Sequence, residues 1–456
     1  MKKNNSVYNF KKGIKSMSSI KSLIFLICFV MNFLYLSNAD AATLTAKSCS
    51  RAHVQSAINS AKMGDIVIIP KGNCTWASPV IIHKAITLKG NGSYSENANH
   101  EDTGTWPLTI TLSGNNGIEL SGTSGQNIRI TGIHFSGSTG CGTSGNGAIL
   151  IPTSNATGNW RIDNSKFTVS CNAVAVLTSG LGGLIDHIYA YDSGCGDGGA
   201  ILVMDQRNDY TGGWAFTQPI NWGSSNFVFV EDSTFWKNGC TGSAGAPAVS
   251  DAQANGKYVF RRNYVRDAMA VWHGTESGAP QRGGYAFEIY NNEFYWSMPS
   301  DRYHTAIFHR GGTALIYDNQ VTNYQFLWKT WVRRATRSFG EFGRCDGTQV
   351  HDGNRGGSYP RGYPCLDQVG RGRASGVSLN KVQPQEGSKS YIWNNIGIKT
   401  DAFFHVNPDY VVSGRDYEFC NDSSCAPVGY TPYPYPHPLV TDNPAPNPPQ
   451  NLRIIQ

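Results

Sequence analysis

The sequence predicts an all-β solenoid, a parallel β-helix in which each coil lays its strands on those of the coil before. Three observations point there. First, seven short stretches repeat one pattern: an apolar residue, a second two places on, a turn residue two further, and an aromatic or β-branched residue three after that. They are Ile128-Ile130-Gly132-Phe135, Trp160-Ile162-Asn164-Phe167, Val228-Val230-Asp232-Phe235, Tyr258-Phe260-Arg262-Val265, Phe287-Ile289-Asn291-Phe294, Ala314-Ile316-Asp318-Val321 and, in weaker register, Tyr391-Trp393-Asn395-Ile398. Strands recurring every ~25–32 residues without intervening helices are the mark of stacked repeats. Second, glycine is abundant (51 residues) and charge is low (15%), as many tight turns between short strands require. Third, roughly 415 residues beyond the leader exceed one compact core, a limit that solenoids escape because each coil buries its face on the next.

Residues 1–39 read as a signal peptide. Lys2, Lys3, Lys11, Lys12, Lys15 and Lys21 precede the apolar run Leu23 to Leu36, and Ser37-Asn38-Ala39 fits a cleavage site. Export to an extracellular or periplasmic location is expected, with no membrane association after cleavage. The whole chain carries +6, and the six leader lysines account for all of it. A nucleic-acid partner is therefore not expected. Charge is uneven, however: 257–389 holds 18 basic and 11 acidic residues, which suits an anionic ligand.

Residues 40–428 form the expected β-helix domain. It begins with a cap helix at 50–62, with Ser50 as N-cap and Val54, Ile58 and Ala61 on one face. Gly64-Asp65 then turns the chain into the strand Ile66 to Ile69. Strands follow to about Phe404, interrupted by a Gly/Arg/Tyr-rich loop at about 334–373. The tail 429–456 is rich in Pro and Tyr and should lie extended along the outside of the coils. Outside the leader stand ten cysteines: Cys49, Cys74, Cys141, Cys171, Cys195, Cys240, Cys345, Cys365, Cys420 and Cys425. An even number in an exported chain suggests disulfides, and pairing neighbours in sequence order would staple successive coils, although spacing alone does not fix connectivity.

The opening Val54-Gln55-Ser56-Ala57-Ile58-Asn59, followed by Gly64-Asp65-Ile66-Val67-Ile68-Ile69-Pro70-Lys71-Gly72, resembles the N-terminal cap of the secreted right-handed parallel β-helix proteins, the pectin-lyase-like superfamily. The resemblance implies a right-handed helix and a carbohydrate-active or carbohydrate-binding protein. His273-Gly274 stands without the carboxylate motifs that accompany such a pair in polygalacturonases, and no pectate-lyase Arg-x-Pro-x-x-Arg occurs. Fold alone does not assign function.

In most coils the position after the short apolar strand can be read down the stack as Ile151, Thr178, Asp205, Asp251, His273, His309, Lys329 and His405, of which Asp205, Asp251, His273, His309 and Lys329 would form one outward line. In register, such residues stack about 4.8 Å apart. A row of like charges is costly as mere structure, so an outward line of acids, imidazoles and amine is expected to be functional. Nearby lie Glu276, Arg282, Asp301, Arg302, Arg310, Arg333, Arg334 and Arg337, with Trp272, Tyr303, Trp328 and Trp331 as sugar-stacking faces. This set suits β-elimination on a uronate-containing polysaccharide. His309 or His273 is the candidate base, and Lys329, Arg310 and Arg333 are the candidate cations for the substrate carboxylate. Glu276, Arg282, Arg302, Tyr303, Arg334 and Arg337, with the three tryptophans, would bind substrate. Asp205 and Asp251 would hold Ca²⁺, the one candidate cofactor, or orient a histidine. Two alternatives stand beside the lyase: a non-catalytic glycan-binding or adhesive β-helix, and a glycoside hydrolase built on paired carboxylates. A monomer is expected.

Overall fold

The computed structural model describes residues 41–121, 127–139, 145–152, 159–170, 172–177, 182–192, 200–204, 217–237, 247–275, 282–297, 304–332, 365–374, 385–397, 404–405, 410–441 and 452–454. The expected leader lies outside them. Among the described residues no helix is long and apolar enough to cross a membrane.

The chain is a parallel β-helix. One sheet holds ten parallel strands, ordered in space from Phe404–His405 through Phe326–Thr330, Thr305–His309, Met269–Trp272, Ala248–Gln253, Ile201–Met204, Val174–Val176, Ile149–Ile151 and Ile118–Leu120 to Val80–Ile82. A second sheet of twenty strands contains two parallel runs, such as Val228–Glu231 and Thr234–Lys237, that follow each other within a coil. The ten-residue strands Trp160–Val169 and Gly183–Asp192 pass from one run to the other without a break.

Register follows the repeated pattern. Ile130, Ile162, Ile185, Val230, Phe260, Ile289, Ile316 and Ile392 pair one after another along the stack. All eight are fully buried. Two residues later comes a left-handed residue: Gly132, Asn164, His187, Asp232, Arg262, Asn291, Asp318 and Asn394 all have positive φ. Next comes a residue that bonds along the helix axis. The amide N–H of Asn263 donates to Asn292 Oδ1 (3.0 Å), that of Asn292 to Asn319 Oδ1 (3.1 Å) and that of Asn319 to Asn395 Oδ1 (3.0 Å). Their side-chain N–H groups donate to the carbonyls of Val230, Phe260, Ile289 and Ile316. Buried polar groups are thereby satisfied between coils, which locks each coil in phase with the next.

Two details depart from the sequence reading. The last repeat is centred one residue earlier than expected: Ile392 is stacked inside, and Trp393 faces outward with its ring on Tyr317 (4.3 Å). A further repeat, Ile185-His187-Ala190, departs from the sequence pattern because histidine fills the turn and alanine the aromatic site.

The first coil is capped by a helix at Arg51–Ser60, with Ser50 accepting from the His53 amide and Val54, Ala57 and Ile58 buried. Cys49–Cys74 ties this cap to the first coils, and Trp76 donates its indole N–H to the Cys49 carbonyl (2.9 Å). Cys420–Cys425 closes a short loop near the other end, and Cys365 is also disulfide-bonded. Cys141, Cys171, Cys195, Cys240 and Cys345 lie outside the described residues.

The segment expected to be an open loop to 373 ends as built structure. Cys365 to Val369 is buried, and Arg371–Ala374 pairs antiparallel with Gln385–Gly387. The proline-rich tail crosses the outside of the twenty-stranded sheet. Arg261 donates to the Tyr433 and Pro434 carbonyls (2.6 and 2.8 Å), and Tyr430 donates to Glu288 Oε2 (2.6 Å).

Asn292→Ala removes the acceptor for the Asn263 N–H and the donor to the Phe260 carbonyl, leaving buried groups unpaired. Urea unfolding should show a loss on the order of 3 kcal/mol. An unchanged midpoint would mean that the ladder does not hold the coils.

Candidate functional site

The ten-stranded sheet sorts the expected column onto two faces. Ser250 pairs with Ala270 after a register shift between Ala248 and Ser250, so Asp251 lies beside Val271 rather than His273. Further along, Val271 pairs with Phe308 and Phe308 with Lys329, while Trp272 pairs with His309. Lys329 in turn pairs with His405. Side chains alternate between faces along a strand, so a shift of one residue reverses the face and a shift of two preserves it. Asp251, His273 and Lys329 therefore share the outer face. His309 points into the coil. The single line expected from the sequence is two adjacent outer columns. One runs through Asp251, Val271, Phe308 and Lys329, and the other through Gln253, His273, Arg310 and Trp331.

The outer face carries a histidine–carboxylate pair. His273 Nδ1 lies 2.7 Å from Asp251 Oδ1, and Gln253 Nε2 donates to Asp251 Oδ2 (3.2 Å). Asp251 is buried and the His273 side chain is 25% exposed. The short contact to a carboxylate places a proton on Nδ1 and leaves the lone pair of the neutral ring on Nε2. Gln253 Nε2 is also 3.2 Å from Nδ1, and the carboxylate contact is the stronger of the two. Gly274 follows because a Cβ there would lie 2.2 Å from the Arg310 carbonyl oxygen. The pair His273-Gly274 thus has a packing cause.

Beside this pair stand two cations on an aromatic base. The Arg310 guanidinium lies 5.4 Å from the Phe308 ring and 5.8 Å from that of Trp331, and Lys329 Nζ lies 5.6 Å from Phe308. Burial pulls the Lys329 ammonium below its usual range. Arg310 is one strand from His273, and Lys329 is two strands away, roughly 10 Å.

Four expected site residues are elsewhere. His309 is fully buried, with Nε2 2.9 Å from the Gly311 carbonyl and Nδ1 accepting from the Trp328 indole (3.2 Å). Trp328 is core, as is Trp272, whose indole donates to the Gly311 carbonyl (2.7 Å). Arg282 is fully buried in a two-armed ion pair with Asp367, Nε to Oδ2 and Nη2 to Oδ1, both at 2.7 Å. The Asp367 carboxylate also accepts from Thr275, the Gly283 amide and Gln385. This pair binds the far end of the inserted segment to the coil. It was invisible in the sequence because its members are 85 residues apart. Asp205, Glu276, Arg302, Tyr303, Arg333, Arg334 and Arg337 lie outside the described residues. Among the described residues no three His, Cys, Asp or Glu converge as a metal site. The Asp251 carboxylate is engaged by His273 and Gln253.

The chain matches no family model and no curated protein. Among solved structures it is similar to an alginate lyase from Paenibacillus sp. str. FPU-7, at 15% identity over 62% of this chain and 96% of that one, with a TM-score of 0.30. It is also similar to the PL6 family alginate lyase AlyGC, at 14% identity and a TM-score of 0.34; the match covers 83% of this chain and 53% of AlyGC. The chain thus spans about half the length of AlyGC. These likenesses carry no chemistry over, and the residues of the outer face must do so.

Burial holds His309 neutral, with its pKa pushed down to about 3. It likewise lowers His134 and His437 to about 4, with Lys166 and Arg261 respectively adding to the shift. An unfolded histidine titrates near about 6.5. Because the folded values are depressed, these groups contribute fully above about pH 6.5, and their contribution is lost as pH falls towards the folded values. Thermal unfolding should shift to lower temperature between about pH 6.5 and pH 4, and His309→Gln should flatten that slope. An identical slope in the variant would exclude His309 from the acid response.

Proposed function

We propose that the protein is an exported polysaccharide lyase that cleaves a uronate-containing polymer by β-elimination on the outer face of the ten-stranded sheet. The observation that carries the reading is the His273–Asp251 pair at 2.7 Å, set one strand from Arg310 on the same face. Asp251 orients the imidazole and offsets the positive charge that it acquires. His273 Nε2 removes the proton from C5 of the uronate. The Arg310 guanidinium meets the carboxylate and stabilises the charge that spreads into it as the proton leaves. The C4–O bond then breaks, a C4–C5 double bond forms, and the imidazolium returns its proton to the departing oxygen. Lys329 meets a carboxylate farther along the polymer, and the half-buried Trp331 indole supplies a stacking face. A polysaccharide is thus the partner, and export is in keeping with the disulfides Cys49–Cys74 and Cys420–Cys425.

A non-catalytic glycan-binding helix is the second reading. What favours it is the inward turn of His309, which leaves one of the two candidate bases on the face. Incubation with polygalacturonate, alginate and glucuronan, followed by ultraviolet absorbance of the conjugated product, separates the two. The lyase reading expects unsaturated product from one polymer. His273→Ala should lower its rate by about 10²–10⁴-fold, and Asp251→Asn should lower the rate with little change in KM. Full activity in His273→Ala would remove the histidine from the reaction. Tight binding without product from the parent would establish the binding helix, and reducing ends without unsaturation would establish a hydrolase.

A further inference from the structure

A cleft of about 630 Å³ opens at the corner made by the left-handed turns, which the ten-stranded sheet does not border. Its size falls in the range of small-ligand sites. Its floor is the turn series itself: His187, Asp232, Arg262 and Asn291, one per coil, each with positive φ. Neither wall belongs to the repeat. One wall is an antiparallel hairpin held by the Ser93–Thr105 and Glu96–Asp102 bridges, which brings Tyr94, Glu96 and His100 to the cleft. The other is the proline-rich tail at Tyr435.

Both walls are fixed against the coils. Glu96 accepts from Tyr94 Oη (2.8 Å) and from the Thr234 hydroxyl, and bonds His100 Nδ1 (2.9 Å). The His100 ring stacks on Tyr264 at 3.8 Å. Tyr435 donates to Asp232 (3.0 Å), and the Arg262 guanidinium lies 4.0 Å from its ring.

The turn series shows an anomaly here. Of the eight left-handed turns named above, six hold glycine, asparagine or aspartate, and those residues tolerate that conformation. Histidine is also enriched there. Arg262 is the exception: a long side chain with a Cβ gains nothing from a left-handed turn, and it occurs where the turn forms the cleft floor beneath Tyr435. Such strained positions concentrate at binding sites.

We propose that this cleft is a second carbohydrate site, and that it takes a neutral saccharide. Tyr94, Tyr435 and the His100–Tyr264 stack offer ring faces to a sugar. The polar groups between them include both acceptors (Glu96, Asp232, Glu293) and a donor (Arg262), which matches hydroxyl groups that both donate and accept. Glu96, Asp232 and Glu293 outnumber Arg262, and the two imidazoles of the lining are engaged by carboxylates, His100 by Glu96 and His187 by Asp186, which makes the cleft a poor host for uronates, in contrast to the cations beside Phe308. The site is independent of the lyase reading.

Calorimetric titration with cello-, xylo-, manno- and maltohexaose, and with an oligouronate as control, tests it. One neutral oligosaccharide should bind with Kd below about 1 mM, and the oligouronate should not compete. Glu96→Gln and Arg262→Asn should each weaken binding by about tenfold or more. Arg262→Asn also restores the residue type found in the other turns, so its melting temperature should be unchanged or higher. A loss of binding in that variant cannot then be ascribed to unfolding. The proposal fails if none of the four binds, if binding survives both substitutions, or if the oligouronate competes for the site.

Discussion

The phase of one coil relative to the next is the constraint on which the rest of this molecule depends. A left-handed residue, followed from Asn263 to Asn395 by an asparagine whose side chain accepts from the amide and donates to a carbonyl of the preceding coil, sets that phase at one corner. From that point the alternation of side chains decides what is buried and what is presented. The fully buried stack from Ile130 to Ile392 and the outward side chains between its members are consequences of that alignment. A shift of one residue in any coil would exchange them.

This explains what could be read from the sequence. Six of the eight repeats were legible in register, and a seventh one residue off, because the turn residue lies a fixed two places after a buried residue. The cap helix was legible from Ser50 and the spacing of Val54 and Ile58. The ten-stranded sheet has no such anchor. It follows segments of very different length, and the register shift between Ala248 and Ser250 adds another residue of uncertainty. Asp251, His273 and Lys329 fell on one face because their displacements were even in sum, whereas His309 was displaced by one and lies inside. The Arg282–Asp367 pair had no sequence signal: an arginine beside glycines reads as a surface residue until its partner, distant in the chain, is brought to it.

Polar groups play two separable parts here. Arg282 with Asp367 and Arg261 with Glu231 are buried pairs that fasten non-repeating segments to the coil. Removing either partner would strand a charge in the interior, a far greater penalty than losing a surface ion pair. Asp251 with His273 is different: the carboxylate is buried, but the imidazole retains access to solvent.

The tail that crosses the twenty-stranded sheet has a consequence for biogenesis. Arg261 reaches carbonyls at Tyr433 and Pro434, more than 170 positions downstream. The coils can stack progressively as polypeptide emerges, since each needs only its predecessor. The tyrosine wall cannot form until the segment around Tyr433 to Tyr435 has followed the coils that it covers. The outer face of the ten-stranded sheet is therefore laid down before the opposite corner is enclosed.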